Sequence, residues 1–552
     1  MNRFFIFVII FTIGFPSLFA QHIPVHPSNT GIYEFIDELA NEGIIDVTTV
    51  IKPYGQEEIA KWLLQADSMR IQLNNRQEQE LGLYLYEFVS SKRYVREEAF
   101  HKGGTLFSLL PPVFRYEDVK SEFMLRPVGG IKATVYDGLP FHQRYWGAEM
   151  QFTRGHWGVY ANLRDTYLQR WVPAMPTHLM QDQGGNYKLN EGGRAGGDCS
   201  EMRGGIFYSW EWGRVGLVKD HMQWGDNYYG ATILSGRTPS FPMIQLQMKP
   251  FKWLDFQYFH AWMVSEVIDS NSSYYSQPGI YRGVFQPKFM AANMFTIIPW
   301  KHMHISIGNS IVYSDKSVQV AYLIPFLFFK SVDHTLTHGV DNENSQMFLN
   351  VSTRNLKHLH AYTTLFVDEF SIKRIFDKGR YNFFGMRWGM RLNNWPVRNL
   401  AATAEYTQSF PLIYEHRVST LTYASNRYNL GYYMGDNSTD LNISLIYKIV
   451  GGIRLEAFFG HAVHGIDYPY TNDHNVDRHP LLIHKAWQRN RLGFRAEYRP
   501  VAALVLSGGA EWSEVTGYTI DGHTAQYYMN LWSPAYMHGE HVFYTAGITY
   551  GF

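Results

Sequence analysis

The chain is nearly without cysteine: Cys199 stands alone among 552 residues, which excludes a disulfide scaffold and cysteine-cluster metal sites. It has no excess charge of either sign. With 49 Lys and Arg against 49 Asp and Glu, it lacks the basic surplus of a general nucleic-acid binder. Charged residues make up only 18% of the chain and hydrophobic ones 45%, too much apolar surface for a disordered protein. Long hydrophobic runs are also missing. Beyond the amino terminus the longest apolar stretch is Tyr322 to Phe329, interrupted by Pro325, far short of the roughly 20 residues a spanning helix needs. The signatures G-x-S-x-G, H-E-x-x-H and G-x-x-x-x-G-K-[ST] are absent, so no motif supports acyl transfer, zinc hydrolysis or a phosphate loop, and the chain reads as a non-enzyme without a cofactor.

What the sequence has in quantity is aromatic. Phe (37), Tyr (38) and Trp (15) make up 16% of the chain beside 47 Gly, which favours one large β-structure with aromatics on its surface over several soluble domains. Residues 1–20 predict a secretory signal: a polar start at Asn2 and Arg3, an apolar run from Phe4 to Phe15, and Ser17-Leu18-Phe19-Ala20 before a cleavage point between Ala20 and Gln21. No cysteine follows to take a lipid. An exported chain without membrane helices can cross a membrane only as a closed β-barrel, because every backbone polar group must be satisfied inside the hydrocarbon layer.

Two regions follow. Residues 21–104 carry a helical period: Ile32, Phe35, Ile36 and Leu39 behind a cap at Thr30, a second helix after Pro53 through Ile59, Trp62 and Leu63, and a third over about 76–91 through Leu81, Leu85 and Phe88. The polar faces of the second and third helices (Glu57, Glu58, Lys61; Gln77, Glu78, Gln79, Glu80) read as solvated surface. From 105 to 552 the period is two. Ala148, Met150 and Phe152 alternate with Glu149, Gln151 and Thr153, and Trp157 to Leu163 alternate with Gly158 to Arg164 after a turn at Gly155-His156. Leu441 to Ile449, Ile453 to Phe459 across Gly451-Gly452, and Leu492 to Tyr498 repeat the pattern, with charges on the other face. Alternation alone fits a soluble sandwich as well as a membrane barrel.

Three features favour the barrel. Aromatics fall at expected strand ends (Tyr145-Trp146, Trp210, Trp212, Trp253), and tight turns alternate with long polar loops at about 165–203, 464–490 and 514–540. Val542, Tyr544, Ala546, Ile548, Tyr550 and Phe552 alternate to a carboxy-terminal aromatic, which resembles the terminal-strand signal of Gram-negative outer-membrane barrels. The reading is therefore all-β: a large antiparallel transmembrane β-barrel of the outer membrane with a small periplasmic α-helical module.

Sugar rings stack their C–H faces on aromatic rings while their hydroxyls bond polar side chains, so loop aromatics are the candidate glycan contacts: Trp171, Tyr187, Tyr228, Tyr229, Tyr468, Tyr470 and Trp487. His464, His474, His479 and His484 beside Asp467, Asp473 and Asp477 match no standard metal spacing and read as polar loop, with no metal assigned. Cys199 reads as an unpaired thiol on a surface loop.

Four stretches carry a family likeness. They are Val25-His26-Pro27 with Ile32-Tyr33-Glu34-Phe35-Ile36-Asp37-Glu38-Leu39 and Lys52-Pro53-Tyr54; Trp224-Gly225 with Ile233-Leu234-Ser235-Gly236-Arg237-Thr238-Pro239-Ser240-Phe241-Pro242; Asp341-Asn342 with Val367-Asp368-Glu369-Phe370; and Glu405-Tyr406-Thr407 before Pro411. Together they resemble the capsule assembly Wzi family of outer-membrane proteins. The resemblance implies a barrel of about eighteen strands with a helical bundle at its periplasmic mouth, and lectin-like attachment of surface polysaccharide without catalysis. The implied partners are surface polysaccharide, outer-membrane lipid and the barrel-assembly machinery that reads Tyr550 and Phe552, with the chain a monomer. A porin-like channel and a surface adhesion or motility platform are the alternatives.

Overall fold

The computed structural model describes residues 23–89, 100–102, 105–107, 114–118, 120–169, 183–189, 196–336, 342–369, 382–468, 480–501 and 503–551. The expected signal segment with Ala20 and Gln21, and the terminal Phe552, lie outside them.

Period-two alternation becomes eighteen antiparallel strands, from Ser121–Tyr136 to Gly539–Tyr550, each bonded to its neighbour in sequence. The last strand closes on the first, with Phe543 opposite Tyr136 and Tyr550 opposite Gly129. Closure removes the unpaired edges that an open sheet would leave. Each alternation has a physical partner on both sides of the wall. In Ser438–Ile449 the outward Ile443, Leu445 and Tyr447 are exposed, and the inward Asn442, Ser444 and Ile446 are buried. Leu492, Phe494, Val542, Tyr544 and Ile548 continue the same exposed apolar belt.

The two ends differ. At one, connections of two to six residues join the strands; at the other, eight of the nine connections run to between 13 and 29 residues, the exception being Asp137-Gly138. Gly451 and Gly452 make one short turn with φ +89° and +83°, a backbone region that side chains disfavour. The strands run further into the expected loops than the composition suggested, to Gln169, Gly465 and Gly517. Exposed Trp157, Trp212, Trp253, Trp300 and Trp395 ring the short-turn end, where amphipathic rings sit at a lipid interface. Tyr145 and Trp146 do not lie at a strand end; they sit midway along Leu139–Arg154. Cys199 is not a surface-loop thiol either. It is buried in the strand Gly196–Trp210.

The helical period gives α1 (Thr30–Asn41), α2 (Gln56–Ser68) and α3 (Asn75–Phe88). Asn29, not Thr30, precedes the first turn of α1. Asn74 caps α3: its side chain accepts the Gln77 N–H at 3.0 Å while the Gln77 side chain accepts the Asn74 N–H at 2.9 Å. Ile32, Phe35, Ile36, Leu39, Ile59, Leu63, Leu81 and Leu85 form the module's own core. Its polar faces are less solvated than expected. Glu58 pairs with Lys249 of the wall at 2.5 Å, and Gln77 is buried and bonds Glu38 at 2.9 Å, whereas the half-buried Glu57 pairs with the exposed Lys61 one turn on.

Candidate functional site: a filled lumen and its mouth

Many inward residues face protein, while on the side of the barrel formed by its first and last strands the inward Lys132 and Arg495 remain exposed. The module seats in the short-turn mouth with α1 innermost, and the acidic side of that helix meets basic side chains of the wall. Glu34 accepts from Arg454 at 2.8 and 3.1 Å, Asp37 from Arg354 at 2.9 Å, and Glu38 from Asn394 at 2.7 Å with Lys448 3.3 Å away. Burial opposes the charge on Glu34, but Arg454 and Lys448 outweigh it and hold the carboxyl at about 2; for Asp37 burial is likewise overcome by Arg354 and Arg391, also to about 2. Asn41 ties the end of the helix to Asn393 at 2.7 Å and Arg354 at 2.8 Å. Glu87 of α3 pairs with Arg126 at 3.0 Å on the opposite wall.

From the other end two long connections fold inward. In the first, residues 221–240, Gln223–Trp224 pairs with Ile51–Lys52 on one side and Leu234–Ser235 on the other, a small sheet inside the barrel. The fully buried Trp224 packs edge-on against Phe259 and Phe348 of the wall at 5.2 and 5.9 Å. In the second, residues 410–437, the Tyr414 hydroxyl donates to the Thr232 carbonyl at 2.8 Å and the Tyr423 hydroxyl to that of Ile233 at 3.0 Å. Tyr432 and Tyr433 both donate to Asp440 at 2.5 Å. Glu405 pins the first connection. Its two oxygens accept the backbone N–H of Tyr228 and of Tyr229, each at 2.8 Å, and it also takes the Tyr362 hydroxyl.

The expected glycan contacts separate in space. Trp171 and Tyr470 lie outside the described residues. Tyr228 is deep in the lumen: its hydroxyl donates to Asp37 at 2.8 Å and Arg391 lies 4.8 Å from its ring centre. Tyr229 stands beside it on Glu405, so both hold the plug together rather than standing on an outer loop. Tyr187 and Tyr468 are half-buried near the long-connection end. Trp487 is fully buried, with Nε1 donating to Ser533 at 3.3 Å. It lines a narrow recess of about 10 Å³ with Tyr433, Asp440, Arg489 and Arg491, room for a single water beside a mixture of rings and polar groups.

Of the histidine and aspartate loop set, His464 and Asp467 come together with Asp436, their ligand atoms within 4.8 Å of one another. His484 is exposed, and His474, His479, Asp473 and Asp477 lie outside the described residues. Burial, reinforced by Glu415 and Asp467, pushes the Asp436 carboxyl well above the usual range. His26, Asp220 and His221 form a second such group inside the lumen. The sequence reading did not single out Asp37, Arg354, Arg391 or Glu405 for a role in the lumen. Their one signal was a charge on the inward side of an alternating strand for Arg391 and Glu405, in the turn just past one for Arg354, and on a short helix that itself goes inward for Asp37.

Eighteen closed strands, an apolar exterior and a tryptophan ring leave one environment for this surface. The molecule is an outer-membrane β-barrel. No family model matches the chain, and no curated protein matches it by sequence. Among solved structures it is similar to Wzi of Escherichia coli, described as an outer-membrane protein involved in group 1 capsule assembly and a carbohydrate-binding β-barrel. That match has a TM-score of 0.57 at 12% identity and covers 97% of this chain and 100% of the other. Also found are OccD3 (OpdP) of Pseudomonas aeruginosa (TM-score 0.42, 11% identity, covering 84% and 97%) and OccAB4 of Acinetobacter baumannii (0.41, 8%, 79% and 98%). At these identities the likeness is one of fold.

Proposed function

We propose that this barrel attaches or organises capsular or other extracellular polysaccharide at the cell surface, lectin-like and without catalysis. The observation that carries this reading is the filled lumen: the module, residues 221–240 and residues 410–437 meet inside the barrel and are bonded to one another and to the wall. Such a filling favours a platform over a conduit. In the usual orientation the short turns and the module face the periplasm, and the long connections face outward. The outer mouth then carries the glycan contacts, with Trp171, Tyr187, Tyr468 and Tyr470 on connections and the buried Trp487 packed behind them. The carbohydrate binding stated of the E. coli neighbour supports the same reading. The protein works as a monomer, with surface polysaccharide, lipid and the barrel-assembly machinery, which reads Tyr550 and Phe552, as its partners.

The test is binding of the detergent-purified mature protein to polysaccharide extracted from its own cell surface, with planar-bilayer conductance measured in parallel. Saturable binding weakened by Trp171→Ala supports attachment. Trp487→Phe is the better probe of the recess, because truncating a fully buried tryptophan to alanine costs about 3–5 kcal/mol of packing and confounds binding with folding. Steady conductance without binding would move the assignment to a porin-like channel. Retention of surface polysaccharide in cells lacking the protein would remove the attachment role.

A further inference from the structure

The one sizeable apolar run in the mature sequence, Tyr322 to Phe329, is neither in the lumen nor on the outer mouth. It lies in residues 314–336, which turn down over the outside of the wall. Side-chain parity puts this stretch of wall under the connection. In Leu254–Ile268 the inward Phe259 packs on the plug tryptophan, so Phe256, Tyr258, His260 and Trp262 point outward. Phe256, Tyr258 and His260 are nevertheless buried, as are the outward Phe289, Ala291 and Asn293 of the next strand and Asn309, Ile311 and Tyr313 of the one after. Tyr322 and Phe329 complete this cluster from the connection.

Polar groups at lipid-facing positions are expensive unless something covers and satisfies them. Here the connection does both. The Asn293 side chain donates to the carbonyls of Pro325 and Leu327, each at 2.9 Å, and Asn309 accepts the Phe329 N–H at 3.0 Å. The Tyr258 hydroxyl donates to the Tyr322 carbonyl at 2.7 Å, and the Tyr313 hydroxyl accepts the Gln319 N–H at 3.2 Å while lying 2.8 Å from His260. A turn at Val320–Leu323 and a helix at Phe329–Leu336, here α4, bond part of the remaining backbone internally. Non-helical chain at this depth is thus paired with the wall it lies on.

Its other side is apolar: Val320 is 74% exposed, Phe326 55%, and Leu323, Ile324 and Phe328 are also exposed. Asn293 sits four residues from the short-turn end of its strand and Asn309 six, which at about 3.3 Å per residue on a strand tilted by about 40° is roughly 10–15 Å up an apolar band about 25 Å tall. The exposed face is therefore continuous with the lipid belt, of which the exposed Ile307 on the bare wall nearby is part. We propose that residues 318–336 form a membrane-embedded strap, a second lipid-contacting layer whose outer side chains bind the acyl chains of the surrounding leaflet. Of the ionisable side chains in the strap, Lys330 carries a stem long enough to bring its ammonium to the interface, and Asp333 and His334 follow in the last turns of α4, after which the chain returns to the long-connection end of the next strand. This inference rests on the membrane barrel alone and is independent of the glycan reading.

The experiment uses the full barrel with Cys199→Ser and a single new cysteine: Phe326→Cys, Leu323→Cys or Val320→Cys in the strap, and Ile307→Cys as the bare-wall control. Each carries an environment-sensitive fluorophore in phosphatidylethanolamine/phosphatidylglycerol vesicles. Val320 and Leu323 make the smaller demand on packing and keep the test open if Phe326→Cys folds poorly. The expected result is blue-shifted emission quenched several-fold more by doxyl-labelled acyl chains than by aqueous iodide, matching Ile307→Cys. Stronger quenching by iodide would put the strap in water, and protection from both quenchers would put a protein partner or a second copy on it; either overturns the proposal.

Discussion

Asn293 and Asn309 face one another across two neighbouring strands on the outward side of the wall, the Asn309 amide donating to the Asn293 oxygen at 2.7 Å. Neither position would tolerate an amide in bare contact with hydrocarbon. The pair is the dry counterpart of the lumen network: in both places a polar wall residue meets a chain segment that leaves the wall and returns to it.

Asn309→Ala removes the acceptor for the Phe329 N–H and the donor to Asn293 at once. A buried unpaired backbone group costs ~1–3 kcal/mol, which is enough to loosen a strap without unfolding eighteen strands. Protease added to the long-connection side of embedded protein should then cut within 314–336 at least tenfold faster than in the parent, with heat-resistant barrel migration unchanged. Equal cutting rates would show that the apolar cluster around Tyr322 and Phe329 holds the strap by itself.

Arg354→Ala should release the module. It strips Asp37 of its nearest cation and Asn41 of a donor; because Arg391 stays 3.6 Å from Asp37, the cost falls below the about 3–5 kcal/mol of a buried carboxylate left wholly unpaired. Asp37→Asn, which removes the charge but keeps an acceptor, should be milder. Hydrogen exchange across α1 reads the difference: fast in Arg354→Ala and intermediate in Asp37→Asn.

The wall was legible in the sequence because each strand has two chemically opposite neighbours, lipid and a polar interior, and Leu441 to Ile449 record that in every second residue. The helices were legible for the parallel reason that Ile32, Phe35, Ile36 and Leu39 share one face. What filled the barrel was not. The inner sheet uses pairs of residues, Ile51–Lys52, Gln223–Trp224 and Leu234–Ser235, too short for any period, so Tyr228 and Tyr229 read as ordinary loop aromatics. The run Tyr322 to Phe329 was visible but too short for a spanning helix, and nothing local says that a connection folds back along the outside of its own barrel. Trp487 illustrates the same limit at the candidate site, since it reads as an aromatic of the loop 464–490, and nothing local says that the strand Lys485–Val501 already includes it or that Ser533 closes over it.

Acid should undock α1 before it touches the wall. Glu34 is lowered from 4.5 and Asp37 from 3.8, both to about 2. For carboxyls depressed in the folded state, the stabilisation is fully present above the unfolded values and is lost as pH falls through about 4 towards 2. Each group contributes about 2–3 kcal/mol above that window. Pepsin, active throughout this range, should cleave the module with a steep rise between pH 4 and 2.5, and Arg454→Met should move that rise to higher pH. A flat profile would mean that the ion pairs do not hold the module in place.

Glu405 offers the sharpest test of the plug, because one carboxylate serves three donors from two elements. Glu405→Gln keeps the volume but turns one acceptor into a donor, so the N–H of either Tyr228 or Tyr229 then faces another N–H inside the barrel. Tyr362→Phe removes only the hydroxyl and leaves both backbone bonds in place. If the connection 221–240 is pinned at this point, Glu405→Gln should produce intermittent conductance steps in planar bilayers where the parent is silent, and Tyr362→Phe should resemble the parent. Combining Glu405→Gln with Arg354→Ala should raise open time beyond the sum of the two, because Tyr228 links them: its amide sits on Glu405 and its hydroxyl on the Asp37 that Arg354 neutralises. Silence in Glu405→Gln would assign the plug's hold to Trp224 between Phe259 and Phe348, and Trp224→Ala would become the variant that opens the barrel.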